Sequence, residues 1–149
     1  MPGPARSTRR ILLATDLSGA SEAATEEALE LAHDLRAELL VVSVIDPTTR
    51  LPADSLVLRM DQRRAARETA AQALVLRGRS MGIGVSFLVW EGEPGPSIVD
   101  AAASEQADLV VVGSHNRGPV GRIFIGSVSE HVVRNAPCPV LVVRSRRTS

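Results

Sequence analysis

Short apolar runs alternate with helical segments along this chain, and this alternation restricts the possible folds more than any other feature. Each run is almost continuously apolar, which is typical of a strand buried on both faces of a parallel sheet. The runs cover residues 11–15, 38–45, 85–90, 108–112 and 139–143. A strand followed by a helix, repeated four times and closed by a fifth strand, predicts a parallel sheet with helices on both faces.

The segments between the runs carry helix signals of different strength. In the first, Ala24, Ala28, Leu31 and Leu35 recur on one predicted face, and Ser18 or Ser21 is expected to cap its start. The other helices are predicted over residues 56–79, 96–105 and 127–135. Pro96 is expected near the first position of the third helix. We expect one domain over residues 10–145, with a flexible tail at 1–9 and a second tail at 146–149.

The second predicted helix contains a cluster of arginines. Arg63, Arg64 and Arg67 follow one another closely in an alanine- and arginine-rich segment. Charges at such spacing usually form a solvated helix face. We therefore predict a solvent-facing role for these arginines.

The glycine-rich segment over residues 113–127 lies between the fourth predicted strand and the last predicted helix. Glycines let a backbone approach an anion closely, and the unpaired amides of a first helical turn point toward it. Ligands of such sheets bind beyond the carboxyl ends of the strands, where the strand order reverses. Asp16, Val44 and Gly113 are expected at that edge, so a nucleotide is the leading ligand.

Composition excludes several other functions. The chain has 17 basic and 17 acidic residues, so it offers no broad attraction to nucleic acid or to an anionic membrane. Every basic residue except histidine is arginine, and a Walker-type phosphate loop needs a lysine. The single cysteine, Cys138, excludes an intramolecular disulfide and is expected to be a small buried thiol. No run approaches the length of a membrane helix, and we expect a cytoplasmic protein.

Several segments together resemble the universal stress protein family, and the resemblance extends from Arg10 to Arg144. It rests on residues 11–18, 107–114, 126–130 and 135–143. The resemblance implies an α/β fold: a three-layer αβα sandwich around a five-stranded parallel sheet of order 3-2-1-4-5, with a Rossmann-like adenine nucleotide-binding arrangement. It also implies a homodimer formed through the last strand, which contains Val140, Leu141, Val142 and Val143.

The family has members that bind ATP and members that do not. The binding class carries glycine, two residues, glycine, nine residues, then glycine followed by serine or threonine. Gly113, Gly126 and Ser127 match this pattern, and Asn116 stands at the second glycine. Asparagine tolerates a left-handed backbone better than other non-glycine residues. The resemblance thus implies a stress-response protein that binds ATP, with Mg²⁺ accompanying the nucleotide and at most slow hydrolysis.

The resemblance also assigns binding roles residue by residue, and it implies neither a catalytic residue nor a metal-ligand set on the protein. Ala14, Thr15 and Asp16 would flank the adenosine, with the Asp16 carboxylate accepting from ribose hydroxyls, and Val44 would pack on the adenine. The ribose and phosphate side would contact Gly113, His115 and Asn116, and the phosphates would contact Gly126, Ser127, Val128 and Ser129.

Local alternatives remain open beside these roles. Ser127 and Glu130 have the spacing of a capping box, which would satisfy helix amides without a ligand. Asp16 could serve only as a turn former. His33 and His131 are expected to be structural, whereas Arg117 and Arg122 suit either a phosphate or solvent.

At the level of the whole chain, the alternative is a dimeric interaction module of the same fold that binds no nucleotide. Its apolar last strand would then be the functional surface, because an exposed sheet edge requires cover.

Overall fold

The computed structural model describes residues 8–47, 53–114 and 126–144 and forms a parallel five-stranded sheet between two helical layers. The strands are β1 (Arg10–Ala14), β2 (Glu38–Ile45), β3 (Val85–Glu91), β4 (Leu109–Ser114) and β5 (Val140–Arg144). The helices are α1 (Glu22–Leu35), α2 (Ala53–Ser80), α3 (Pro94–Ser104) and α4 (Ser127–Asn135), with a short 3₁₀ turn at Gly19–Ser21. The sheet order β3-β2-β1-β4-β5 confirms the predicted fold class.

Alternate residues of the central strands pack on opposite sides of the sheet. On one side Ile11 and Leu13 of β1 join a buried cluster that includes α1 and the second half of α2. On the other side Leu12 and Ala14 join a cluster that includes α3 and α4. The strand order reverses between β1 and β4, so the connections from their carboxyl ends diverge and leave a crevice at that edge.

Three element boundaries differ from the predicted ones by two residues or more. β4 continues through Gly113 and Ser114, which pair with Val143 and Arg144 of β5 and so belong to the strand rather than to the loop after it. α3 begins at Pro94, whose missing amide costs nothing at the first helical position, rather than near Pro96. α2 begins at Ala53.

The predicted helix face of α1 is only partly correct. Ala24 and Ala28 are buried, but the buried stripe continues through Leu29 and Ala32, and Leu35 is 46% exposed. Leu35 is the last helical residue of α1, which ends with Arg36 in a left-handed conformation at φ 53°. Ser21 stands at the N-cap position, yet its side chain makes no capping hydrogen bond, so that part of the prediction is wrong.

Candidate functional site

A cavity of about 370 Å³ opens at the carboxyl edge of the sheet, where β1 and β4 diverge. This volume is within the range of small-molecule sites in proteins. Nine of the eleven residues predicted to bind a nucleotide line it: Ala14, Thr15, Asp16, Val44, Gly113, Gly126, Ser127, Val128 and Ser129. The other two, His115 and Asn116, lie outside the described residues. Arg117 and Arg122 lie outside them as well.

One half of the cavity is an apolar slot. Besides Ala14 and Val44, its lining includes Val42, Ile98 and Val112. These last three were not predicted from the sequence, and neither were Ser21, Pro94 and Ser114. Strand alternation could have found Val42 and Val112, because each shares the face of its strand that α3 and α4 cover.

The backbone of Val44 presents a donor and an acceptor at the edge of this slot. The amide of Thr15 donates to the carbonyl oxygen of Val42 at 3.1 Å, so the polar groups of Val42 face β1. Those of Val44, two residues later, face the same way. The pairing of β1 with β2 ends at Ala14 opposite Val42, and the chain then turns away through Leu17 at φ 62°. The N–H and C=O of Val44 therefore point into space that β1 has left.

The opposite half of the cavity is formed by the start of α4. Gly126 is its N-cap residue with φ −60° and ψ 161°, and no side chain of the described residues caps the helix. The predicted capping box is wrong, because Ser127 is the first helical residue and the Glu130 carboxylate pairs with Arg134 at 2.8 Å instead. Within the described part of the chain, the first amides of α4 thus lack the side-chain partner that a cap would supply.

Ser129 connects the two elements that border the glycine-rich segment. Its hydroxyl donates to the carbonyl oxygen of Gly113 at 2.9 Å, and Ser129 is only 6% exposed. The single hydroxyl hydrogen is thereby committed, so Ser129 can offer a phosphate its backbone amide but not this hydrogen.

Asp16 is held by a serine cluster at the mouth of the cavity. Its Oδ1 accepts from the Ser18 amide at 2.9 Å, the Ser18 hydroxyl at 2.6 Å and the Ser21 hydroxyl at 2.5 Å. Partial desolvation acts to raise the pKa of Asp16, but these hydrogen bonds, helped by the charge of Arg67, outweigh it and lower the pKa. The carboxylate forms the expected turn through Oδ1, and no described residue hydrogen-bonds its Oδ2.

Two arginines of α2 are bound to the carboxyl edge of the sheet, so the prediction that they form a solvated face is wrong. The Nη1 of Arg67 donates to the Ser43 hydroxyl at 2.7 Å and to the Val44 carbonyl oxygen at 3.2 Å. The Nη1 of Arg64 donates to the Val89 carbonyl oxygen at 2.9 Å. The charge pattern of α2 carries no signal for this role, because it does not show which strand carbonyls lie within reach of the arginines.

The remaining titratable candidates do not form a second centre within the described ranges. Those residues contain no group of three or more histidine, cysteine or acidic side chains able to hold a metal ion. His131 packs against Gly95 of α3, as its structural role required, and exposed His33 lies 3.4 Å from Asp34. Cys138 is half-buried rather than buried as predicted, and burial together with Asp108 raises its pKa.

Among the helices that the structure describes, none combines the length and the apolar character that crossing a bilayer requires.

Comparisons with known proteins identify the family of this chain. A model of the universal stress protein family matches residues 7–144. A universal stress protein of Thermus aquaticus is 37% identical over 138 residues, which cover 91% of this chain and 98% of that protein. One from Methanocaldococcus jannaschii is 33% identical over 139 residues, with 91% and 82% covered.

Solved structures extend the likeness to the fold. The universal stress protein UspA of Lactobacillus plantarum matches with a TM-score of 0.82 at 26% identity, over 93% of this chain and 99% of that one. An Arabidopsis thaliana family protein with AMP bound matches at 0.69 and 20% identity, over 93% and 92%. An Archaeoglobus fulgidus member in complex with dAMP matches at 0.62 and 22%, over 93% and 99%. A universal stress protein in complex with cAMP matches at 0.69 and 22%, over 95% and 100%.

Proposed function

We propose that this chain, which belongs to the universal stress protein family, binds an adenine nucleotide in the cavity between β1 and β4 and acts as a regulatory stress-response protein. One observation carries the proposal: the uncapped start of α4 faces the same cavity as an apolar slot, so one ligand can reach both. The AMP, dAMP and cAMP complexes of structurally similar family members support adenine as the base.

The base would lie in the apolar slot against the Val44 side chain. Adenine carries an amine donor beside a ring-nitrogen acceptor. The carbonyl and amide of Val44 form the complementary pair at the slot's edge, so one base can satisfy both. Burial of the flat ring among Val42, Ile98 and Val112 would supply the apolar contribution to binding.

The ribose would lie between Ala14 and Thr15 on one side and Gly113 on the other, close to Asp16. A carboxylate with a lowered pKa is ionised at neutral pH and accepts hydrogen bonds from hydroxyl groups. The Oδ2 of Asp16 is the atom available for this role, because the serine cluster already occupies Oδ1.

The phosphates would be held at the start of α4. Gly126 and the amides of Ser127, Val128 and Ser129 line that end of the cavity. The positive end of the helix dipole and unpaired first-turn amides favour an anion at this position. We propose the same region for His115 and Asn116, as the family pattern implies.

ATP with Mg²⁺ is the ligand we propose first, with ADP, AMP and cyclic nucleotides as the alternatives. The described cavity lining holds one carboxylate, Asp16, so Mg²⁺ would be carried mainly by the phosphates, where it would neutralise charge. Asp16 is also the one titratable side chain of that lining. Because we assign it to the ribose, we propose that any hydrolysis is slow.

The test begins with the protein as purified. Denaturation followed by ion-exchange chromatography should release an adenine nucleotide, and calorimetric titration of stripped protein with Mg-ATP should give saturable heat. Gly126→Leu is the matched variant, which we expect to remain folded by circular dichroism but to lose the heat. Absence of released nucleotide and of heat at millimolar ATP would contradict nucleotide binding.

Pairing of β5 with its copy is a separate proposal about assembly. Among the described strands, β5 pairs with β4 alone, and Val140, Leu141, Val142 and Val143 are each half-buried. An apolar edge of this kind is a template for pairing with a second chain. Light scattering should report a dimer, and Val142→Pro, which removes a strand amide, should weaken it. A ligand-free dimer would favour the interaction-module function instead.

A further inference from the structure

We propose that Arg67 is a positioning residue for the nucleotide site: it holds the base-facing carbonyl of Val44 by a hydrogen bond and stabilises the charge of the ribose-facing Asp16 carboxylate across a shared cavity. This inference rests on the proposed function, which by itself assigns no role to α2. It concerns a residue that lies behind the cavity lining rather than in it.

The side chain of Arg67 contacts the end of β2. Ser43 is 1% exposed, and its hydroxyl oxygen accepts from Arg67 Nη1 at 2.7 Å. The same nitrogen lies 3.2 Å from the Val44 carbonyl oxygen. Nη1 carries two N–H groups at a fixed angle in the plane of the guanidinium, so two acceptors on consecutive residues restrict the position of the group. Arg67 therefore connects α2 to the last residues of β2.

Arg67 also fixes the carbonyl oxygen of Val44 at the edge of the slot. Its oxygen points toward the space that β1 has left, where no strand amide keeps it in register. Arg67 takes one of its two lone pairs and leaves the other for an amine donor in the slot. A charged donor also polarises the acceptor, and it fixes the direction in which the remaining lone pair points.

Arg67 also interacts electrostatically with Asp16. A smaller cavity of about 210 Å³ on the α2 side of the sheet is lined by both Asp16 and Arg67, together with Leu17 and Arg63. Asp16 is thus shared by the two cavities, with the serine cluster on Oδ1 and a guanidinium across the smaller cavity. Burial lowers the pKa of Arg67, while the Asp16 charge acts in the opposite direction. Each group stabilises the charge of the other.

Arg64 supplies the matched control, because it attaches the same helix to the same edge without reaching the site. It lies nearly one turn before Arg67, donates to the Val89 carbonyl oxygen at 2.9 Å and pairs with Glu91 at 3.5 Å. If anchoring α2 were the whole role of Arg67, loss of either arginine would affect ligand binding alike.

The experiment is a calorimetric titration with AMP, which contains the base and the ribose with a single phosphate. Arg67→Gln should weaken AMP binding about tenfold, the usual cost of losing hydrogen bonds to a charged donor, and Arg64→Gln should change it by less than about twofold. Arg67→Lys keeps the charge but not the planar arrangement of the N–H groups, so its affinity for AMP should lie between those of wild type and Arg67→Gln. Thermal melts of all variants verify that each is folded at the titration temperature.

A double-mutant cycle with Asp16→Asn separates positioning from a structural effect. With the Asp16 charge removed, Arg67→Gln should cost clearly less affinity than in the wild-type background, whereas Arg64→Gln should stay additive. Equal losses from Arg67→Gln and Arg64→Gln, or an additive cycle at Arg67, would overturn the inference while nucleotide binding stands. Failure of the wild type to bind any adenine nucleotide would overturn the proposed function, and the inference with it.

Discussion

The Ser129 hydroxyl donates to the carbonyl oxygen of Gly113 at 2.9 Å, which joins the first turn of α4 to the end of β4. Gly113 and Ser129 lie on either side of the glycine-rich segment and both line the cavity. This hydrogen bond therefore sets the distance between the ribose side and the phosphate side of the proposed site. Loss of the bond should affect both stability and ligand binding.

Ser129→Ala should lower the free energy of unfolding by about 1–3 kcal/mol, because it leaves the Gly113 carbonyl oxygen without the hydrogen bond from Ser129. Ser127→Ala is the control: no capping bond is lost there, and we expect a change within about 0.5 kcal/mol. Urea unfolding followed by circular dichroism measures both. Equal stabilities for the two variants would show that the Ser129 bond contributes nothing.

Gly126→Ser should make the protein slightly more stable and a poorer nucleotide binder. Gly126 has φ −60°, which any residue adopts, and serine is a better N-cap than glycine by a few tenths of a kcal/mol. The new hydroxyl would occupy an amide of the first turn that we assign to the phosphates. Thermal melts and Mg-ATP titrations test the two halves of this prediction, and unchanged affinity would contradict the assignment of the α4 amides.

Asp16 should give the protein an acid-dependent stability. Its pKa is lowered in the folded protein, so its contribution is fully present above the pKa of an unfolded aspartate, about 3.9. That contribution is lost as the pH falls through the lower folded-state pKa. The difference in unfolding free energy between wild type and Asp16→Asn should therefore be constant near neutrality and should narrow below about pH 4. Urea titrations across this range measure it, and a difference that widens on acidification would be contrary to this account.

Gly78→Ala should destabilise the protein even though alanine favours helices over glycine. A Cβ on Gly78, in the last turn of α2, would overlap Cγ2 of Val85 at the start of β3. Overpacking of this kind costs about 1–3 kcal/mol, which exceeds the helix-propensity gain of about 1 kcal/mol. Gly84→Ala, where a Cβ meets nothing within 4 Å, should be close to neutral. Denaturant unfolding of both variants decides between packing and propensity.

The sheet and its helices could be predicted largely from the sequence. The limits of β2 and α4 agree with the predicted ones, because an uninterrupted apolar run and a glycine–serine start are strong local signals. The end of β4 could not be predicted in this way. Gly113 and Ser114 are strand residues because β5 pairs with them, and that pairing depends on residues far along the chain.

The contribution of α2 to the site also could not be predicted from the sequence. The acceptor of Arg67 exists because β1 turns away at Leu17 and exposes the polar edge of Val44. A charge pattern alone gives no information about which carbonyls a neighbouring strand will leave unpaired. The polar half of the cavity was predicted more completely, because Asp16 follows a strand end and Ser127 begins a helix, but of the apolar slot only Ala14 and Val44 were predicted.

The most direct test of the account is a residue-resolved amide NMR titration of the protein with Mg-ATP. We expect the largest shift changes at Val44 and at Ser127, Val128 and Ser129, because one ligand would contact both ends of the cavity. Titration with adenosine should reproduce the change at Val44 and leave the α4 amides nearly unchanged. Saturation without change at these amides, or no change at all at millimolar nucleotide, would contradict the account.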